Sequence, residues 1–417
     1  MSSGQSTVAA RPCCRACGTE LSRTVADLGL SPLANAYVPP ERARRGEAFY
    51  PLHAYVCEAC WLVQLEAFET PEAIFSDYAY FSGFSSGWLR HAERYVAAMT
   101  ERFRLERDSK VVEVASNDGY LLQYFVARGV PVLGVEPAAN VAAVACERGV
   151  PSEVAFFGRV TAERLKAEGH AADLMAANNV LAHVPDILDF VAGFAVLLKP
   201  DGAGTFEFPH LLRMIEHKQF DTIYHEHFSY LSLGVVSGIL ERSGLRVFDV
   251  EELPTHGGSL RVFFCHQASA HARTPAVEQI LASEQAGGLF AAEGYARFAA
   301  DVVSIKCAAL EFLIQERRAG RRVVGYGAAA KGNTFLNYCG IGPELVEAVA
   351  DRSPHKQGTL LPGSRIPVIA PEALLEMRPD TVLILPWNLK AEIMAEMSAI
   401  RGWGGRFVTM IPELAVD

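Results

Sequence analysis

From residue 110 onward the chain alternates short runs of β-branched and aliphatic residues with longer stretches whose apolar positions recur at helical spacing. The runs KVVEVA (110–115), PVLGVE (131–136), ADLMAANNV (172–180) and AGTFEFP (203–209) read as strands. NVAAVACERG and PDILDFVAGFAVLLKP supply helices between them, and a helical stretch around 87–105 leads in. Strands and helices alternating at this spacing imply a parallel sheet covered on both faces. A helical run over 290–318 opens a second, shorter α/β unit, continued by RRVVGYGAAAKG, LVEAVAD and DTVLILP. The first 75 residues break the pattern, being rich in cysteine and turns, with LSPLANAYVPP as an extended connector. The pattern therefore predicts an α/β protein in three domains: 1–75, 76–285 and 286–417.

Composition narrows the partners. Against 38 lysines and arginines stand 48 acidic residues, a formal charge of -10, which argues against nucleic acid or an anionic membrane as partner. No signal-peptide core opens the chain and no run of about 18 apolar residues follows, so a cytoplasmic protein is expected. No obligatory protein partner is evident. Nine cysteines, an odd number without an export signal, do not suggest a disulfide framework.

Four of those cysteines form two C-x-x-C pairs, Cys14 with Cys17 and Cys57 with Cys60. Each pair can offer two thiolates from a tight turn, and two such knuckles complete a four-sulfur zinc site with no open position. A structural zinc ion is expected, with a cluster of buried thiols as the plainer reading.

The turn after the first central strand reads EVASNDG. Glu113 lies near the strand end, Ala115, Asn117 and Gly119 shape the turn, and Glu136, followed by Pro137, ends the next strand. An acidic residue at that tip can hold the two hydroxyls of an adenosine ribose. A dinucleotide would want a glycine-rich G-x-G-x-x-G turn, whereas acidic groups with one glycine suit a cationic adenosine ligand such as S-adenosylmethionine. An ordinary strand-to-helix turn is the alternative. Asn178 and Asn179 end the third apolar strand, where they are costly unless they bond something, and His183 follows.

GYGAAAKG (325–332) matches G-x-G-x-x-A, with Asp351 about twenty residues beyond Ala330. It supports a rival, an NAD-dependent nucleotide-sugar dehydrogenase or epimerase, although Lys331 beside a helix start could bind a nucleotide-sugar phosphate.

IYHEHFSY (223–230) gathers two histidines, a glutamate and two tyrosines. H-E-x-x-H would need histidine at 229, where Ser229 stands. His225 and His227 could chelate an ion from one strand face, or be structural, but proton transfer fits best: histidine titrates near neutrality and a carboxylate can orient it.

The cysteine knuckles, EVASNDG, YHEHFSY, PTHGGSLRV and GYGAAAKGNT, in that order, resemble the sugar C-methyltransferases that act on nucleotide-linked 4-keto-deoxysugars in antibiotic biosynthesis. The resemblance spans nearly the whole chain; Ala115, where such proteins usually carry glycine, departs from it. It implies a zinc-binding N-terminal domain, a central Rossmann-like domain for S-adenosylmethionine and a C-terminal Rossmann-like domain that holds the nucleotide sugar without NAD. It further implies His227 as base, oriented by Glu226, with Tyr224 and His183 on the enolate oxygen or sugar, and Tyr78 reaching in from the N-terminal side. His256, Ser259, Lys331 and Asn333 would contact substrate. The substrate implied is a dTDP-4-keto-deoxysugar methylated at C3, with C5 open to the same machinery. A nucleotide-sugar binding protein without catalysis is the remaining alternative.

Overall fold

The computed structural model describes residues 11–70, 82–84 and 86–417, and within them the chain forms three sheets. The first is antiparallel and ordered Arg23–Ser31, Tyr50–Val56, Val63–Leu65, Ser229–Tyr230. Its fourth strand is the end of IYHEHFSY, with Val63 opposite Tyr230 and Gln64 opposite Ser229. The N-terminal sheet thus grips the motif by its tail. Ahead of that strand, residues 223–228 form a turn and irregular backbone, not the strand on which two histidines would share a face.

The central sheet has seven strands. Its order is Leu245–Leu253, Ser259–His266, Leu198–Pro209, Ala172–Asn178, Val111–Val114, Val132–Val135, Ser152–Glu153. The last five are parallel and the first two antiparallel to their neighbours. Val111–Val114 is buried at every position, which is why a parallel strand covered on both faces reads as an unbroken apolar run. Strand order reverses between Val111–Val114 and Ala172–Asn178, and the crevice at their carboxyl ends is where such sheets bind ligands.

The same arrangement recurs in the C-terminal part. Val368–Ile369, Val349–Ala350, Val323–Tyr326, Thr381–Ile384 and Arg406–Thr409 are parallel, and Ala415–Val416 closes the edge antiparallel. The helix before this sheet spans Phe298–Arg318 and begins later than the apolar pattern suggested, because Ala292–Tyr295 forms a tighter turn first.

One apolar core joins the ends of the chain. Val25, Leu52 and Ala54 of the first sheet pack with Ile305, Phe335 and Leu336 of the C-terminal helices, and Phe220 and Ile223 lie in the same cluster. Each such side chain contributes about 1.5–3 kcal/mol on full burial. The segment that precedes the histidines is therefore clamped between two domains. Beyond the motif, the helix Leu233–Arg242 starts in the interior, and the Glu284 carboxylate satisfies its first amides, accepting from Leu233 N at 2.5 Å and Gly234 N at 2.9 Å. Among the described residues no helix is long and apolar enough to cross a membrane.

Candidate active site

The cofactor crevice is built on backbone that most residues avoid. Ala115, Asn117 and Gly119 have φ of +53°, +49° and +74°. At Gly119 the positive φ favours glycine, and a Cβ would lie a tight 3.0 Å from Val150 Cγ2. Ala115 bears the left-handed penalty that a glycine would avoid. Asn117 N donates to Glu136 Oε2 and Ala138 N to Glu136 Oε1, both at 2.9 Å, which fixes the carboxylate at the strand tip. Burial pushes its pKa up while these two donors pull it down. Asn117 Oδ1 accepts from Ser82 N at 2.8 Å, and Asp118 accepts from Gly83 N and from Arg148 at 2.8 Å, bracing the residues in front of the turn. Pro137 continues this rim, half-buried.

Deeper in, Glu113 is held well above the usual carboxylate range by burial, with Glu136 and Asp118 adding to the effect. One of its oxygens, like both amide atoms of Asn179, is buried without a protein partner among the described residues. Asn178 stands beside Tyr120. Buried polar groups left for a ligand fit a cationic amino acid–adenosine molecule: Glu136 toward ribose hydroxyls, Glu113 and the asparagines toward its polar groups.

The motif IYHEHFSY supplies the second wall. His227 Nδ1 lies 2.8 Å from the Thr222 carbonyl, which can only accept, so Nδ1 carries the proton and Nε2 keeps the lone pair. Burial first, and then the charges of His183 and Lys331, hold His227 well below the usual histidine range. His183, brought down to about 4 by burial, donates to the Glu226 carbonyl and meets His227 edge to face at 4.7 Å. The half-buried Tyr224 ring lies 3.9 Å from that of His227.

One expectation changes here and one alternative falls away. Glu226 does not orient His227: its carboxylate accepts Asn35 Nδ2, at 2.8 and 3.0 Å, and the Thr222 carbonyl does the orienting. Nor do His225 and His227 share an ion, since His225 Nε2 faces the Pro51 carbonyl at 3.1 Å and its ring packs on Tyr50. Tyr78 lies outside the described residues.

The third wall comes from the C-terminal domain. Lys331, at the start of the helix Ala330–Cys339, holds its ammonium 4.7 Å over the Trp387 ring and 3.4 Å from the His256 carbonyl. Trp387 Nε1 donates to the buried Asp221 carboxylate at 2.8 Å. His256 has φ +55°, tilts against Trp88 at 5.6 Å and is brought down to about 4, by burial first and Lys331 second. Its neighbour Gly257 has φ +90°, and a Cβ there would sit 2.3 Å from Trp387, so the glycine admits the indole.

The Sγ atoms of Cys14, Cys17, Cys57 and Cys60 all lie within 4.8 Å of one another, with Cys14–Cys60 and Cys17–Cys57 at 3.5 Å. Four thiolates at about 2.3 Å around one zinc ion would be spaced by about 3.8 Å, so the cluster fits the ion closely.

Comparison with known proteins finds family matches along most of the chain, the C-terminal one beginning at 254 and so including the central-sheet strand Ser259–His266. Residues 14–75 match a family model described as "Putative zinc binding domain", 88–250 one described as "Methyltransferase domain", and 254–412 one described as "C-methyltransferase C-terminal domain". C-methyltransferase NovU of Streptomyces niveus is 37% identical over 400 residues, covering 96% of this chain and 95% of the relative. The chain belongs to the C-methyltransferases. Solved structures overlap part of it more distantly. Magnesium protoporphyrin IX methyltransferase of Synechocystis, with bound SAM, is 14% identical over 44% of this chain and 82% of its own, TM-score 0.34. A TehB-like SAM-dependent methyltransferase of Corynebacterium glutamicum is 14% identical over 43% and 99%, TM-score 0.31.

This C-methyltransferase is S-adenosylmethionine-dependent and carries a structural zinc site. The NAD reading finds no support. The glycine turn of the C-terminal sheet is covered by protein: the Tyr37 hydroxyl and Lys356 Nζ both donate to the Ala328 carbonyl, the latter at 2.8 Å. Asp351, where a ribose would be held, accepts Ser353 N at 2.8 Å and pairs with Lys356 at 3.5 Å.

Two expected substrate contacts of the C-methyltransferase also make bonds within the protein. Ser259 is buried and donates to the Thr255 carbonyl at 2.9 Å, closing its own turn. Asn333 is 1% exposed, and its Nδ2 donates to the Ala34 carbonyl at 2.6 Å, latching two domains. His256 and Lys331 do stand in the cleft. The sequence reading missed Asn35, Asp221, Trp387 and the fully buried Glu207, which pairs with His91 at 2.9 Å and Arg261 at 3.1 Å. Only Trp387 carried a signal, in PWNLK just past a strand beside a switch point.

Proposed function

We propose that this C-methyltransferase deprotonates the carbon next to the ketone of a dTDP-4-keto-deoxysugar, at C3, and methylates it, in the making of an antibiotic deoxysugar. One observation carries the proton step: a histidine kept neutral by burial, its Nδ1–H committed to the Thr222 carbonyl, retains a basic Nε2. The sugar and its nucleotide rest on the resemblance of the motifs, in keeping with a C-methyltransferase relative that spans the chain.

In this reading His227 Nε2 takes the proton, while Tyr224 and His183 bind the sugar beside it, with Tyr78 reaching the same site. The C–H pair becomes a carbon–carbon double bond and negative charge gathers on the keto oxygen, where a donor lowers the barrier. S-Adenosylmethionine, bound by Glu113, Asn117, Glu136, Asn178 and Asn179 on the turn of Ala115 and Gly119, supplies the electrophilic methyl group.

Titration with S-adenosylhomocysteine and with NAD tests the cofactor side: the first binds and the second does not. His227→Ala tests the base. Deuterium exchange from solvent at the sugar carbon should vanish while S-adenosylhomocysteine affinity holds within about threefold. Exchange at the wild-type rate would place the base elsewhere, and NMR of the product places the new carbon.

A further inference from the structure

The reaction proposed above gathers negative charge on the keto oxygen, and the histidines of the cleft bring no positive charge to meet it. His183 and His256 titrate near 4 and His227 lies well below its usual range, all because of burial, so all three are neutral at pH 7. Arg261 is committed to Glu207 and Glu251, at 3.1 and 2.9 Å. Lys331 is placed differently. Among the described residues its one hydrogen bond, to the His256 carbonyl at 3.4 Å, is at the long limit, so an ammonium with three donors keeps donors for a substrate.

The way Lys331 is anchored ties it to the base. The turn Phe220–Thr222 presents the Thr222 carbonyl to His227 and, one residue earlier, the Asp221 carboxylate to Trp387. Asp221 is 1% exposed, is the nearby negative charge that favours the ammonium, and keeps Oδ1 buried without a partner among the described residues. The indole it holds is the ring over which the ammonium sits. Thr334, one turn further along the lysine's helix, donates to the Ile223 carbonyl at 3.0 Å, on the other side of Thr222. A lysine of the C-terminal domain is thereby anchored through Asp221 and Ile223, the neighbours on either side of Thr222, whose carbonyl orients the base.

We propose that Lys331, set by Trp387 and Asp221, is a catalytic residue of the proton-abstraction step, donating to the enolate oxygen as it forms. This rests on the 4-keto substrate assigned above. The C–H bond breaks and its proton goes to His227 Nε2. The electron pair forms the carbon–carbon double bond, and the carbonyl pair moves onto the oxygen facing the ammonium. The competing use of the same charge is to bind the substrate's diphosphate.

Two measurements on Lys331→Met, whose chain keeps the contact with Trp387, separate these uses. One is deuterium exchange into a dTDP-4-keto-deoxysugar with S-adenosylhomocysteine bound; the other is affinity for dTDP by titration calorimetry. Exchange should fall about 100-fold, the scale of losing one oxyanion donor, with dTDP affinity held within about threefold. Lys331→Gln, polar and uncharged, should show the same loss and serves if the methionine variant does not fold. Normal exchange with a dTDP affinity at least tenfold weaker would assign Lys331 to the diphosphate and overturn the proposal. If the wild-type enzyme itself gave no exchange, the proton-abstraction reading would fall and this one with it; exchange at the wild-type rate in both variants overturns Lys331 alone.

Discussion

Asn35 donates one amide nitrogen to both oxygens of Glu226, across 191 positions of sequence. Burial pushes that carboxyl up to about 7 from an ordinary 4.5, and the asparagine opposes the shift. Between those two values the folded protein holds a proton that the unfolded chain has released, so stability falls as pH rises through the window. Asn35→Ala removes the donor that favours the ionised form. It should cost about 1–3 kcal/mol more at pH 8.5, where Glu226 is ionised, than at pH 6, where it is not. Urea unfolding at the two pH values measures this, and an equal loss at both would reduce Asn35 to packing. Through the Glu226 carbonyl, which accepts from His183, the same bond bears on the geometry of the histidine pair.

Among the elements, the helix Leu233–Arg242 shows how the active loop is held from behind. Its N-terminal amides are buried, and they are satisfied by Glu284 from the helix Pro275–Ala286 together with the Ser232 hydroxyl, which accepts from Val235 N at 3.2 Å. Glu284 also pairs with the buried His210 at 2.8 Å, beside the strand of the catalytic motif. Glu284→Ala leaves two amides and an imidazole without a partner in the interior. It should destabilise the protein by about 3–5 kcal/mol, the usual result of breaking one side of a buried pair. Thermal unfolding checks it, and a shift of only a degree or two would mean that water reaches this helix end. Sequence reading foresaw the helix begun by Asp186, whose carboxylate accepts from Asp189 N at 3.0 Å, but not the strands Leu245–Leu253 and Ser259–His266 beside Leu233–Arg242. It did not foresee Glu284 as a cap, because the cap comes from another element and follows no local spacing rule.

At the scale of the molecule, the candidate site is a junction of three domains. Tyr37 bonds the C-terminal glycine turn, Asn333 bonds Ala34, Asn35 bonds the histidine loop, and all three N-terminal residues lie between the two cysteine knuckles. Removing the metal should therefore cost more than local order. Binding of structural zinc contributes on the order of 10 kcal/mol to folding. After chelation we expect protease cutting within residues 11–70 and loss of deuterium exchange. S-Adenosylhomocysteine affinity should hold within about threefold, because its turn belongs to the central sheet. Exchange that survives complete zinc removal would show that the junction stands without the knuckles.

The sequence by itself determined the parts whose cause is local. Valine-rich runs mark strands buried on both faces, two C-x-x-C turns bring their sulfurs together in pairs, and an acidic residue at a strand tip marks the cofactor side of a parallel sheet. Tertiary structure alone decided which groups serve the histidines. The Thr222 carbonyl rather than Glu226 orients His227, Glu226 belongs to Asn35, and Trp387 reaches Asp221 across 166 positions. Such pairings arise where separately folded units meet, and a buried donor or acceptor takes whichever partner the packing brings within reach.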